Sequence, residues 1–477
     1  MINPTLAAQI FSKLGNSSSL LPMIVKDSAH SAGMTTSSYV AGKEIEGKDR
    51  FIDEIGAEAI WVGGIPFYKK AIDLTLYKIA KHNAKIDTRV LKEEKVWKMA
   101  IKHAPTPEVA QSIQKAAKNI TTFKGLALAK FIAATALTLG SYAALTVFRH
   151  KHTEKNIIKQ IKKEELQKKE AAFEGEQAKK KAQAGAKPSF GMNLGGLKDF
   201  MFDPVKNMMI VDGGITAERL AESRNPQDFM GYVIKEGSFW AFMYFAGPAI
   251  QKYFEKRSNT KQNKAIDLDI RALQDKELHD AFKNNTVEEQ VKEMKAILKI
   301  EKTETIGKNG KKVVTEKILN PEELYEFICK EENNLVVKMA KKAGVIPTYK
   351  TKNEGNNIVD KITNVFKKSK DTGMVDTQQF IDLDEVKGVG EKLETLYNQS
   401  KAALTKGENA ESVEEFLAKT VKLKQGSILK NIGTCMGVLG VVVPGIMLAQ
   451  RLMKKDNKEF AVKKEIHEKL KNQNLLA

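Results

Sequence analysis

Two stretches of the chain run apolar without a single charge, and they set the first expectations. FIAATALTLGSYAALTVF covers Phe131–Phe148, and NIGTCMGVLGVVVPGIMLA covers Asn431–Ala449. Each is long enough to cross most of a bilayer as a helix. Each also ends on cations: Arg149, Lys151 and Lys155 after the first, Arg451, Lys454 and Lys455 after the second. A core helix of a soluble protein is seldom so uniformly apolar with a basic cluster at its end. Both therefore read as membrane helices, over 127–148 and 426–452.

Two shorter apolar stretches lie upstream, AIWVGGIPFY from Ala59 and GSFWAFMYFAGPAI over Gly237–Ile250. Both fall short of the twenty or so residues a straight span needs, so a re-entrant hairpin, an interfacial helix or half of a kinked span is expected over 55–68 and 237–250. Trp61 and Trp240 then suit headgroup depth as interfacial aromatics. Pro66 and Pro248 bend these segments, and Pro444 kinks the last long helix. In that helix Gly433, Gly437 and Gly440 offer a small-residue face for close helix packing. Glu58 and Glu236 precede the two tryptophans. Inside the bilayer such carboxylates are costly and functional. The charged neighbours Asp53, Glu54 and Lys235 point instead to a water-facing interface.

The order short, long, short, long suggests a tandem duplication. The long runs align without gaps, Lys130 on Lys430, Ile132 on Ile432, Leu139 on Leu439 and Gly140 on Gly440. Met23-Ile24-Val25 likewise resembles Met209-Ile210-Val211. The halves are then about 20–155 and 206–455, the second interrupted by a polar insertion. If both basic ends face one side, an odd number of crossings separates them, which raises the span count from two to four.

The remaining parts are polar. A polar segment over 1–50 precedes the first membrane unit, 51–155. A charged helix and Lys/Ala/Gly linker follow over 156–205, then the second short segment within 206–257. The insertion, 258–425, reads as mostly helical. Thr286 with Glu289 suggests a capping box, Asn320-Pro321 opens a helix that Gly344 closes, and Ser412 caps another. Alternation around Asn309-Gly310 predicts a hairpin over 299–319. A basic tail, 453–477, ends the chain.

A length of 477 residues and a net charge of +19 admit two or three compact units and an anionic partner. Nearly all the positive charge is lysine, however, whereas base readout and bidentate phosphate clamps favour arginine. Anionic lipid headgroups at the apolar ends suit it better, and the insertion is the natural place for a protein partner. Cys329 and Cys435 are too far apart and too unlike in setting for a disulfide framework. The N-terminus lacks the basic-then-apolar pattern of a cleaved signal.

No phosphate loop, nucleophile elbow, HExxH or CxxC is present, and the histidines are dispersed. No catalytic, cofactor-binding or metal residue is assigned. EVKGVGEKLETL, over Glu385–Leu396, resembles the turn of a helix-hairpin-helix motif. That resemblance implies that Gly388-Val389-Gly390 presents backbone amides to a DNA phosphate. It covers one turn without a second copy, and Glu391 and Glu394 suit DNA poorly, so nucleic acid is the least favoured partner.

The expected fold is mainly α: a helical integral membrane protein with an internal duplication and a soluble helical insertion carrying a small β-hairpin. The expected role is a membrane-anchored scaffold or interaction protein without enzymatic activity, in a bacterial plasma membrane. The alternatives are a small transporter or channel built from the repeated unit, and a membrane-tethered nucleic-acid binder.

Overall fold

The computed structural model describes residues 6–16, 19–41, 44–171, 204–221, 223, 226–306, 312–346, 380–405, 410–453 and 461–472. It is mainly helical, with one small antiparallel sheet. The first helices are α1 (Leu6–Gly15), α2 (Leu21–Val40), α3 (Glu44–Ala59), α4 (Ile65–Ile72), α5 (Glu94–Lys102), α6 (Pro107–Lys118) and the long α7 (Ile120–Ala171). Next come α8 (Pro204–Ala221), α9 (Pro226–Trp240), α10 (Gly247–Gln262), α11 (Ile270–Leu273), α12 (Lys276–Lys283) and α13 (Val287–Ile297). The hairpin β1 (Ile300–Ile306) and β2 (Lys312–Ile318) leads into α14 (Pro321–Lys330), α15 (Leu335–Ala343), α16 (Leu383–Leu404), α17 (Val413–Gly437), α18 (Val443–Met453) and α19 (Ala461–Asn472).

The chain divides into two compact units. One comprises Met1–Gly15, Asp73–Leu128 and Gln251–Ile428, the other Asn16–Ile72, Ala129–Ile250 and Leu429–Ala477. The expected single insertion is thus too narrow, because 73–128 and the N-terminal helix belong with it. Within the supposed polar segment 1–50, α2 is a helix of the other unit.

In the first unit, Leu278, Phe282, Val291, Leu324, Val336, Leu393 and Phe416 are fully buried in one core. The hairpin pairs Ile300 with Ile318 through to Ile306 with Lys312, while its Asn309-Gly310 turn lies outside the described residues. Ser412 and Glu415 form a reciprocal capping box, each side chain accepting the other's backbone N–H. The box expected at Thr286 does not form, since Thr286 already has helical angles and no side-chain cap. The helix expected from Asn320 to Gly344 is two helices. Asn334 restarts the second by accepting the Val336 N–H, and Gly344 ends it at a φ of 79°.

Gly388 and Gly390 lie inside α16, with Val389 buried. The helix-hairpin-helix turn is therefore absent: the amides it would present belong to a continuous helix, and Gly390 instead makes room for Met294.

In the second unit, three helices are widened by a π turn, at Ile60–Gly64, Ala241–Ala246 and Val438–Val442. Each turn ends two residues before a proline, Pro66, Pro248 or Pro444. The cause is chemical. The N–H of Ile65, Gly247 and Val443 reaches back five residues, to the carbonyls of Ile60, Phe242 and Val438. The next carbonyl in each case (Trp61, Met243 or Leu439) faces a proline nitrogen that has no proton. The expected kinks are thus accommodated as local widenings of continuous helices.

Helix directions follow from paired contacts. On α7, residues Thr153, Arg149, Tyr142 and Ser141 meet Asp49, Asp53, Ala57 and Tyr68 in turn, so α3–α4 runs antiparallel to it. Likewise α9 and its π turn run antiparallel to α8, through Arg219–Glu236, Thr216–Trp240 and Asp212–Tyr244. Arg149 and Arg219 both reach Asp53, and Leu139 packs on Gly214, so α7 and α8 run the same way. Beyond them, Ile466 and Leu470 of α19 cover Ile157 and Ile161.

Helix α2 packs backbone to backbone on the third π turn. A Cβ at Gly33 would lie 2.1 Å from the Gly440 carbonyl oxygen, and one at Gly440 would lie 2.8 Å from that of Ala29. Gly440 is thus a packing glycine, as expected. Gly433 and Gly437 have nothing within 4 Å and are not. Gly33→Ala should destabilise the protein by about 1–3 kcal/mol through overpacking. Gly437→Ala should be neutral or stabilising by up to about 1 kcal/mol. Thermal unfolding of the two variants checks both.

Candidate functional site

Along the apolar stretches of the second unit charges are buried and many large apolar side chains exposed, beside a buried apolar cluster that includes Met23, Ile65, Met208 and Met243. Over 21–40, 51–68, 131–148, 231–250 and 431–449, every Asp, Glu, Lys and Arg is buried or half-buried. On the same stretches Ile132, Phe67, Phe245 and Val441 are 55%, 67%, 62% and 70% exposed.

At the centre stands Asp53, 2% exposed, with four cations from four helices around it. Arg50 of α3 lies 3.6 Å away, Arg149 of α7 3.2 Å, Arg219 of α8 3.5 Å and Lys235 of α9 3.7 Å. Lys235 also pairs with Glu54 at 2.6 Å, and Arg219 with Glu236 at 2.5 Å. Arg149 donates to the Tyr232 hydroxyl at 2.9 Å, and Thr153 donates to Asp49 at 2.6 Å. The expected water-facing setting of Asp53, Glu54, Lys235 and Glu236 is therefore not what is found. Opposite charges on several helices satisfy one another, so these groups can be withdrawn from solvent.

Beside this network lies a cavity of about 30 Å³, lined among others by Asp27, His30, Glu54, Asp212, Lys235 and Glu236. Its wall repeats itself. Trp61 Nε1–H donates to Asp27 at 3.0 Å, and the Tyr244 hydroxyl donates to Asp212. Four residues on in each helix, Ser31 donates to Glu54 at 3.2 Å and Thr216 to Glu236 at 3.5 Å. Each half thus places a carboxyl on an aromatic donor of its own π turn, and a hydroxyl on a carboxylate of its returning helix. This register sets Met23 on Met208, one residue away from the pairing that the shared tripeptide suggests. The chain also leaves the unit after Ile72 and Ile250, and re-enters it at Ala129 and Leu429. The re-entry points keep the same alignment that placed Lys130 on Lys430.

Helix α2 reaches all three π turns. Asp27 holds Trp61 of the first, and the Lys26 ammonium lies beside Gly247, which closes the second. His30 Nδ1 lies 3.0 Å from the Leu439 carbonyl of the third. That carbonyl is the one Pro444 leaves without a helical donor, so the ring carries its proton on Nδ1.

Of the candidate site residues singled out from sequence, Trp61 and Glu236 line the cavity. Glu58 is half-buried, and its Oε1 is buried without a hydrogen-bond partner among the described residues. The N–H groups of Trp61 and Trp240 are committed to Asp27 and Thr216 within the unit. Asp27, His30, Asp212 and Arg219 were not foreseen. The signal for them was charge inside apolar helices, as in LPMIVKDSAH, where Lys26, Asp27 and His30 recur at helical spacing. Among the described residues, no three His, Cys, Asp or Glu side chains are grouped as metal ligands. Comparison of the chain with protein-family models, with characterised proteins and with solved structures found no match.

Asp53→Asn removes the anion that four cations share, and leaves them buried with too little countercharge. It should destabilise the protein by about 3–5 kcal/mol. Glu44→Gln, at an exposed pair with Lys48, should leave the melting temperature unchanged in the same unfolding experiment.

Proposed function

We propose that the second unit lies in a lipid bilayer and conducts a small solute or ion through its polar interior, as a transporter or channel built from a duplicated helical module. The observation that carries this reading is the inversion of polarity: three of the five apolar stretches carry charges, all turned inward, and the other two carry none. Water favours the opposite arrangement, whereas hydrocarbon favours this one. Two helices, Ile120–Glu164 and Val413–Ala449, are long and apolar enough to cross a membrane.

Three further features support transport over simple anchorage. Anchoring needs only an apolar face, and it leaves a network of four interior cations without a purpose. Repeats of like orientation, with polar groups and interrupted helices between them, are what alternating access uses. Helices widened beside proline supply backbone carbonyls to the interior, as at Leu439. The tethered nucleic-acid reading loses its support with the absence of the Gly388–Gly390 turn.

Because α7 and α8 run in the same direction, the end of α7 and the start of α8 lie toward opposite ends of the helices they share. Lys163 near the end of α7 and Lys206 near the start of α8 are both exposed. They should lie about 45 Å apart along the helix axes, more than the ~30 Å hydrocarbon core. Cysteines at the two positions, in Lys163→Cys and Lys206→Cys, should react with an impermeant maleimide from opposite sides of intact membrane vesicles. Labelling of both from one side would overturn the proposal.

A further inference from the structure

The carboxyls of the ion network and of the cavity fall into two classes. Asp49, Asp53, Glu54 and Glu236 each lie within 4.0 Å of a cation. Asp27 and Asp212 instead hold a neutral aromatic donor, Trp61 or Tyr244, and no ion pair forms at either among the described residues. They occupy equivalent places in the two halves and line the same cavity.

His30, 0% exposed, stands on the same cavity wall. Its Nδ1–H is spent on Leu439, so Nε2 carries the lone pair. That nitrogen is buried without a hydrogen-bond partner among the described residues. The cavity volume, about 30 Å³, exceeds the ~10–15 Å³ that one water needs, and a water there finds several polar partners.

We infer that this cavity is a proton-exchange site, in which Asp27 and Asp212 take up and release protons through a water accepted by His30 Nε2. The inference rests on the transport reading and names its coupling ion. Only a proton moves. It leaves the O–H of one carboxylic acid, whose bonding electrons remain as the carboxylate. It passes to the water, which hands a proton to the other aspartate or transiently to Nε2.

The groups facing His30 are Lys26, Asp27 and Ser31 on its own helix, Glu54 on α3, Asp212 and Arg219 on α8, Lys235 and Glu236 on α9, and the Leu439 carbonyl. Glu54, Glu236, Arg219 and Lys235 are tied to one another as ion pairs. Glu58 of α3 also acts on Asp27 but does not line the cavity, so among the cavity carboxyls the two unpaired aspartates are the ones free to change charge without leaving a cation uncompensated.

The test is infrared difference spectroscopy of the full chain in phosphatidylcholine bilayers, between about pH 5 and about pH 9. Two carboxylic C=O bands are expected, one absent in Asp27→Asn and the other in Asp212→Asn. Asparagine retains the acceptor for Trp61 or Tyr244, so both variants should melt as the parent does. Trp61→Phe keeps the carboxyl but removes its donor, and should move the Asp27 band to higher frequency. His30→Gln should slow hydrogen–deuterium exchange of both bands about tenfold or more. The inference is overturned if neither band disappears in the folded Asn variants, or if the Asp27 band is unmoved in Trp61→Phe. Those results would leave the opposite-side labelling of Lys163→Cys and Lys206→Cys untouched, so failure of the proton site is distinct from failure of the membrane reading.

Discussion

The ion network around Asp53 is the constraint from which the rest of the second unit follows. A carboxylate withdrawn from water is costly, and four cations from α3, α7, α8 and α9 offset that cost only if all four helices hold their register. Two of those cations, Arg219 and Lys235, come from the second half of the chain, while Asp53 itself belongs to the first. The halves are therefore joined by electrostatics as well as by a buried apolar cluster to which both contribute, Met23 and Ile65 with Met208, Ile215 and Met243. Other large apolar side chains of the unit, such as Phe67 and Phe245, face outward.

The prolines add a second constraint around α2. Each removes one backbone donor and forces a π turn, which leaves a carbonyl to be satisfied from elsewhere. At Leu439 the donor is His30, and the approach that permits it depends on Gly33 and Gly440 lying in direct backbone contact. The local chemistry of Pro444 thus fixes the tautomer of a histidine on another helix. Helix α2 becomes the element through which the three interrupted helices are linked.

Much of this was legible in the sequence, and the remainder was hidden for physical reasons. The helical character of the long apolar runs, the interruptions at the prolines and the hairpin pairing all follow from local pattern, and they stand in the structure. Glu236 could be singled out because it sits beside an apolar run. Asp53, Glu54 and Lys235 were read as water-facing because a charge cluster ordinarily is, and nothing local reveals that Arg149 and Arg219 come to meet it. The Gly388–Gly390 turn misled because a Gly-Val-Gly step can also continue a helix when Met294 needs the space. The first compact unit extends beyond the expected 258–425 insertion because 73–128 shares no sequence feature with 251–428; only tertiary packing unites them.

The central claim is that lipid, not water or protein, covers the apolar exterior of the second unit. Nitroxide labels introduced through Ile132→Cys, Phe245→Cys and Val441→Cys, in the full chain reconstituted into liposomes, test it most directly. Power-saturation electron paramagnetic resonance should find all three sites accessible to oxygen and shielded from a water-soluble nickel chelate. Free access of the chelate to these positions would contradict the account.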